Sequence, residues 1–274
     1  MNYGDKGIKQ KKKLLNSATT KLGTKLGIFF IKLALVGIIA LVVAGSCLVF
    51  GSFQGIIENA PDIASINVSP EGFATKIYDS DENEIQTLSS AGANRTYVTL
   101  DQIPKDLQHA FIAIEDERFY EHNGIDMRGI LRAASITLSS GEMSQGASTI
   151  TQQLLKNNVF NAFNESTIEK IKRKVQEQYL AIKLETVMSK DAILENYLNT
   201  INLGNGYYGV QSAARGYFNK DVSELSISEC AVIASITKSP TGLNPIRHAD
   251  RNKDRQSQVL LNMKEQGYIS QEEY

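Results

Sequence analysis

"LQHAFIAIEDERFYEHNGID", residues 107 to 126, changes character halfway along. Leu107, Ala110, Phe111 and Ile114 keep the i, i+3, i+4, i+7 rhythm of one buried helical face. Glu115, Asp116 and Glu117 then arrive within a single turn, and Glu121 and His122 follow. A carboxylate delivered by an apolar face sits beside low-dielectric surroundings, which suits a general base. A solvated helix end is the ordinary reading of such a triplet, and a lone His is ordinarily structural. A metal site fits poorly, because there is one His, no Cys, and carboxylates at i, i+1, i+2 point around a helix.

Outward from this stretch the pattern stays helical. Pro104 suits a first helical turn, and apolar periodicity predicts helices over roughly 126–139, 147–158, 167–188, 190–202, 208–218, 224–237 and 249–266. Ser223, Ser226 and Ser228 are candidate N-caps for the segment holding Cys230. Upstream, "ATKIYDSDENEIQTL" (74–88) alternates on both sides of a polar turn and predicts a hairpin, and "RTYVTL" (95–100) predicts a third short strand. The expected fold class is mainly α with a small β element. Residues 58–72, with Pro61 and Pro70, read as a stalk, 73–266 as the main domain, and 267–274 as the start of a linker or further domain in a chain that looks cut.

The N-terminal end has a different composition. Eight lysines against Asp5 give residues 1–32 a charge of +7, while the rest of the chain carries −8. Leu33 to Ile57 contains no charged residue, and about 20 such residues cross a hydrocarbon core as a helix. The positive-inside bias predicts a cytoplasmic basic tail (1–32), a single-pass anchor in the cell membrane (33–57) and an extracytoplasmic remainder. A cleaved signal peptide fits less well, since the basic region is long and no small-x-small site precedes polar sequence. A lipoprotein site at "AGSC" (44–47) is weak, because the apolar run continues past Cys47. The net-acidic outer part offers no nucleic-acid surface, and Cys47 and Cys230 make no disulfide framework.

Two more stretches carry polar chemistry. In "GASTITQQLLKN" (146–157), small residues precede a helix N-terminus, whose free N–H groups favour an anion. Thr149, Gln153 and Lys156 share one face at i, i+4 and i+7. In "EKIKRKVQEQYLAIKLE", Lys170, Lys172, Arg173 and Lys174 form a basic patch, with Glu177 four residues beyond Arg173. Read singly, each is also an ordinary capped or ion-paired helix surface.

In order, however, these segments resemble the peptidoglycan glycosyltransferase family, found as a domain of class A penicillin-binding proteins and as monofunctional enzymes. Its first motif, Glu-Asp-x-x-Phe-x-x-His-x-Gly-x-Asp, is met by Glu115, Asp116, Phe119, His122, Gly124 and Asp126. The second, Gly-x-Ser-Thr-x-x-Gln-Gln-x-x-Lys-Asn, runs from Gly146 to Asn157. Arg173, Lys174 and Glu177 fit Arg-Lys-x-x-Glu. "ILENYLN" with Gly204, Gly209, Ala213, Ala214, Tyr217 and Phe218 fits the fourth motif, and "ECAVIASITKSPTGLNP" the fifth.

The resemblance implies a lysozyme-like, mostly α domain that polymerises lipid II into β-1,4-linked glycan on undecaprenyl diphosphate. It casts Glu115 as the base and Glu177 as a second essential glutamate. Asp116, Ser148, Thr149, Gln153, Lys156, Arg173 and Lys174 become substrate-binding residues, and Phe119, His122 and Gly124 hold the motif. It implies no tightly bound cofactor, with a divalent cation (Mg or Mn) as an optional helper at the diphosphate; metal ligands stay unassigned. Expected partners are lipid II, the growing chain, the membrane and proteins of a wall-synthesis complex. Where many relatives carry another arginine before Arg-Lys, this sequence has Glu169, with Lys170 or Lys172 as replacements. "SITK" (235–238) matches the Ser-x-x-Lys of penicillin-reactive enzymes, but no Lys-Thr-Gly follows and the match reads as chance.

Overall fold

The computed structural model describes residues 4–73, 75–82, 84–88, 94–140, 146–160 and 164–274. The chain separates into two units, Met1–Asn59 and Ala60–Tyr274. In the first, helix α1 (Asp5–Leu15) precedes α2 (Ala18–Glu58), and Ser17 caps α2 by accepting the Thr20 N–H. At 41 residues, α2 is about 60 Å long, roughly twice a hydrocarbon core. It is the one helix among the described residues long and apolar enough to cross a membrane. Lys21, Lys25 and Lys32 lie on the same helix as the apolar run, because no proline intervenes and lysine is a good helix former.

The second unit is mainly α. Strands β1 (Thr75–Tyr78) and β2 (Glu84–Leu88) pair antiparallel, with Thr75 opposite Leu88 and an irregularity after Ile77. Ala74 and Asn83 of the expected hairpin lie outside the described residues. The third strand expected over 95–100 is not formed. That segment makes one isolated bridge, Phe73 to Arg95, and then a 3-10 turn, Leu100–Gln102, boxed by Thr99 and Gln102. Val98 is held instead by Asn199, whose side chain bonds both its backbone N–H and its carbonyl.

Among the described residues eight α-helices follow: α3 (Lys105–Glu115), α4 (Met127–Ser140), α5 (Ile150–Asn158), α6 (Thr167–Val187), α7 (Lys190–Thr200), α8 (Val210–Phe218), α9 (Ile227–Ser235) and α10 (Ala249–Glu265). Each lies where periodicity predicts it, with ends shifted by a few residues. Of the three candidate serines, Ser226 caps α9, in a reciprocal box with Glu229. Helix α3 packs against α9 and α10, and α5 against α6 and α7. Leu107, Ala110, Phe111, Leu154, Leu180, Tyr197 and Ile233 are fully enclosed in the shared core.

Both flanks of this unit touch its core. In the segment read as a stalk, Val68 is buried and its carbonyl accepts from Asn158 Nδ2 at 2.7 Å. Ile269 enters the core, and Tyr268 stacks on His109 with centroids 4.2 Å apart.

Candidate active site

A cavity of about 930 Å³ opens among the end of α3, the start of α5, the middle of α6, the segment after α9, and α10. Glu115, the last residue of α3, lines it. Its Oε2 accepts from Gln153 Nε2 at 2.8 Å, and its Oε1 accepts from the Thr237 hydroxyl. The Tyr197 hydroxyl donates to Gln153 Oε1 at 3.3 Å, which turns the Gln153 amide nitrogen toward Glu115. Burial first, and then the charges of Glu115 and Asp116, hold the Tyr197 phenol well above its ordinary pKa. Tyr197 is thus a neutral donor, and both groups that bond Glu115 are uncharged.

Asp116, one residue on, does different work. It is buried, with its carboxylate 3.0 Å from His122 Nε2 and accepting the Ile150 N–H at 2.9 Å. It anchors the N-terminus of α5, where a negative charge is favoured by the helix dipole. His122, enclosed beside the Phe119 ring edge, holds Asp116. Thr149 caps α5 by accepting the Gln152 N–H and donates to the Gly124 carbonyl at 2.8 Å. Thr149 is buried and absent from the cavity wall, whereas Asp116, though buried, borders the cavity. Gly124 has φ +81°, and a Cβ there would lie 2.5 Å from the Ala181 carbonyl carbon of α6. Only glycine lets this loop rest on α6 while its carbonyl holds α5.

The opposite wall is cationic. Arg173 Nε bonds Glu165 at 2.8 Å, and its Nη1 bonds Glu177. Lys174 Nζ lies 2.6 Å from Ser148 Oγ and 3.1 Å from Glu177 Oε2. Glu177 is buried between the two cations and is ion-paired to both. Lys156 lines the cavity and has no ion pair among the described residues. Lys170 and Lys172 are exposed and absent from the wall.

Thr237, Lys238 and Arg255 were not singled out from the sequence as site residues. Thr237 and Lys238 lie in the "SITK" set aside as chance. Ser235 of that tetrapeptide is fully buried and donates to the Ala231 carbonyl at 2.6 Å, so it is no nucleophile. Arg255 reaches the cavity from α10, and its Nε has no partner among the described residues. Burial lowers its pKa, and the nearby Glu115 charge opposes that. Its only local signal was a basic residue on a solvated-looking helix.

The donor set does not suit a protein-bound divalent ion. No group of three or more His, Cys, Asp or Glu occurs among the described residues, and the Glu177 carboxylate is taken up by Arg173 and Lys174.

The transglycosylase family model matches residues 81–264. The chain belongs to the transglycosylase family. It is 42% identical over 245 residues to penicillin-binding protein 1A of Escherichia coli (strain K12), covering 89% of this chain and 28% of that protein. It is 44% identical over 200 residues to penicillin-binding protein 1F of Bacillus subtilis (strain 168), covering 73% and 27%. The chain thus spans just over a quarter of the length of these relatives. A crystal structure of penicillin-binding protein 1A from Haemophilus influenzae aligns with 73% of this chain and 19% of that one, at 26% identity and a TM-score of 0.39. Family membership rests on the family model, which spans more than half of the chain. All five motifs quoted above fall within the matched residues.

Proposed function

We propose that this chain is a peptidoglycan glycosyltransferase that polymerises lipid II outside the cytoplasmic membrane. The observation that carries the reading is the contrast across one cavity: a carboxylate with neutral donors faces a wall of lysine and arginine. Glu115 takes the proton from the acceptor's GlcNAc 4-hydroxyl. That oxygen attacks the donor's anomeric carbon from the face opposite the diphosphate. The bond from the anomeric carbon to the diphosphate oxygen breaks with its electron pair, and an α linkage becomes β-1,4. One displacement with inversion needs no second nucleophilic carboxylate, unlike retaining glycosidases.

Lys156 and Lys174 stabilise the departing diphosphate, with Arg173 and Arg255 adding positive potential in a partly water-excluded site. Helix α2 tethers the domain to the leaflet that holds both substrates, its lysine-rich start on the cytoplasmic side. The test is incubation of the full chain in membranes with lipid II. Long glycan strands are expected. Shortening of added glycan would favour a lytic glycosidase, and no reaction would favour an inactive scaffold of a wall-synthesis complex.

A further inference from the structure

Helix α1 stands outside the chemistry. No residue of α1 is buried. It carries Lys6, Lys9, Lys11, Lys12 and Lys13 against one acid, Asp5. Helical spacing sets Lys6, Lys9 and Lys13 along one strip and Ile8 and Leu15, two turns apart, along the other. Lys11 and Lys12 flank the apolar strip on either side. Ile8, Leu14 and Leu15 are each more than half exposed. An apolar strip bordered by lysines, whose stems cover apolar surface while their ammonium groups stay in water, is the layout of a helix lying in a membrane interface.

The break after α1 fits that role. Asn16 ends α1, Ser17 caps α2, and the Thr20 hydroxyl donates back to the Leu14 carbonyl at 2.8 Å. The junction is thus a built corner rather than a frayed continuation of one helix. Helix α2 then adds Lys21 and Lys25 before the charge-free run begins.

We propose that α1 is an anionic-lipid-binding element that lies on the cytoplasmic leaflet, with its lysines among negatively charged headgroups. This rests on the reading of α2 as the membrane anchor. Charge complementarity selects the occupant: five lysines on eleven residues, tied covalently to a spanning helix, meet an anionic bilayer surface first. The apolar strip favours a bilayer over a nucleic acid, which offers it nothing.

The chain contains no tryptophan, so Leu15→Trp gives a fluorophore at one known position on the apolar strip. The full chain carrying it is reconstituted in nanodiscs of phosphatidylglycerol with phosphatidylcholine, or of phosphatidylcholine alone. Blue-shifted emission, quenched by brominated acyl chains, is expected in the anionic discs and not in the neutral ones. Changing Lys6, Lys9, Lys11, Lys12 and Lys13 to Gln should abolish the difference, and raised salt should weaken it. Phe53→Trp in α2 serves as the control for anchoring, with quenching expected in both lipids. A quenched Phe53→Trp with a water-exposed Leu15→Trp in both lipids would overturn the inference and leave the anchor standing. Equal burial of Leu15→Trp in both lipids would overturn its electrostatic basis. An unquenched Phe53→Trp would overturn the anchor and this inference together.

Discussion

The two glutamates of the cavity have the same side chain and opposite surroundings. Glu115 is bonded by a hydroxyl and an amide, whereas Glu177 is bonded by a guanidinium and an ammonium. A proton arriving at Glu115 disturbs two neutral hydrogen bonds; one arriving at Glu177 dismantles two ion pairs, which bind about twice as strongly as neutral contacts. Under the proposed function, partners rather than residue type distinguish the base, and the α6 glutamate positions the cationic wall.

The comparison can be broken most severely at Glu115 itself. Glu115→Gln keeps the shape and removes the base, so polymer formation should fall by roughly 10³-fold, within the usual range for a general base. Circular dichroism should be unchanged. Gly124→Ala attacks the loop that joins the two walls. The positive φ and the contact with Ala181 should cost about 2–4 kcal/mol of stability, read as a lowered thermal midpoint.

Thr237→Val sharpens the acid side alone. Loss of one hydrogen bond worth about 1 kcal/mol should slow turnover roughly five-fold with little effect on stability. The smallest effect is expected at Asp126. Burial pushes its pKa up, but bonds from Arg118 and the Gly129 N–H, with the charges of Arg118 and His122, hold it below its ordinary value. A depressed folded-state pKa stabilises above the unfolded value, and that contribution is lost as pH falls through the folded one. Arg118→Gln should therefore move the acid-unfolding midpoint to higher pH, by a few tenths of a unit.

Most helices were legible because their apolar faces repeat at helical spacing and their caps are local: Ser166 with Glu169, Ser189, and Ser226 with Glu229. The 95–100 segment misled because alternation marks a half-buried surface, and here the partner is the Asn199 side chain rather than a strand. Within the site, Glu115, Gln153, Lys156, Arg173, Lys174 and Glu177 came from ordered motifs, and all line the cavity. Motif spacing could not separate residues that face the cavity from those that build it. Thr149 belongs to the second group, since its hydroxyl turns inward to cap α5, and Asp116 to both, since it borders the cavity while accepting the Ile150 N–H. Thr237 and Arg255 approach Glu115 from 122 and 140 positions away in sequence, a proximity that packing of α3 against α9 and α10 creates. No local pattern encodes it.

The central claim, that Glu115 and not Glu177 carries the proton, is tested most directly by pH–rate profiles of lipid II polymerisation for the unchanged chain and for Glu177→Gln. The unchanged chain should lose activity toward acid as one carboxylate becomes protonated. Glu177→Gln should turn over more slowly at every pH yet keep that acid limb. A Glu177→Gln profile that is flat through the acid range would contradict the assignment and move the base to α6.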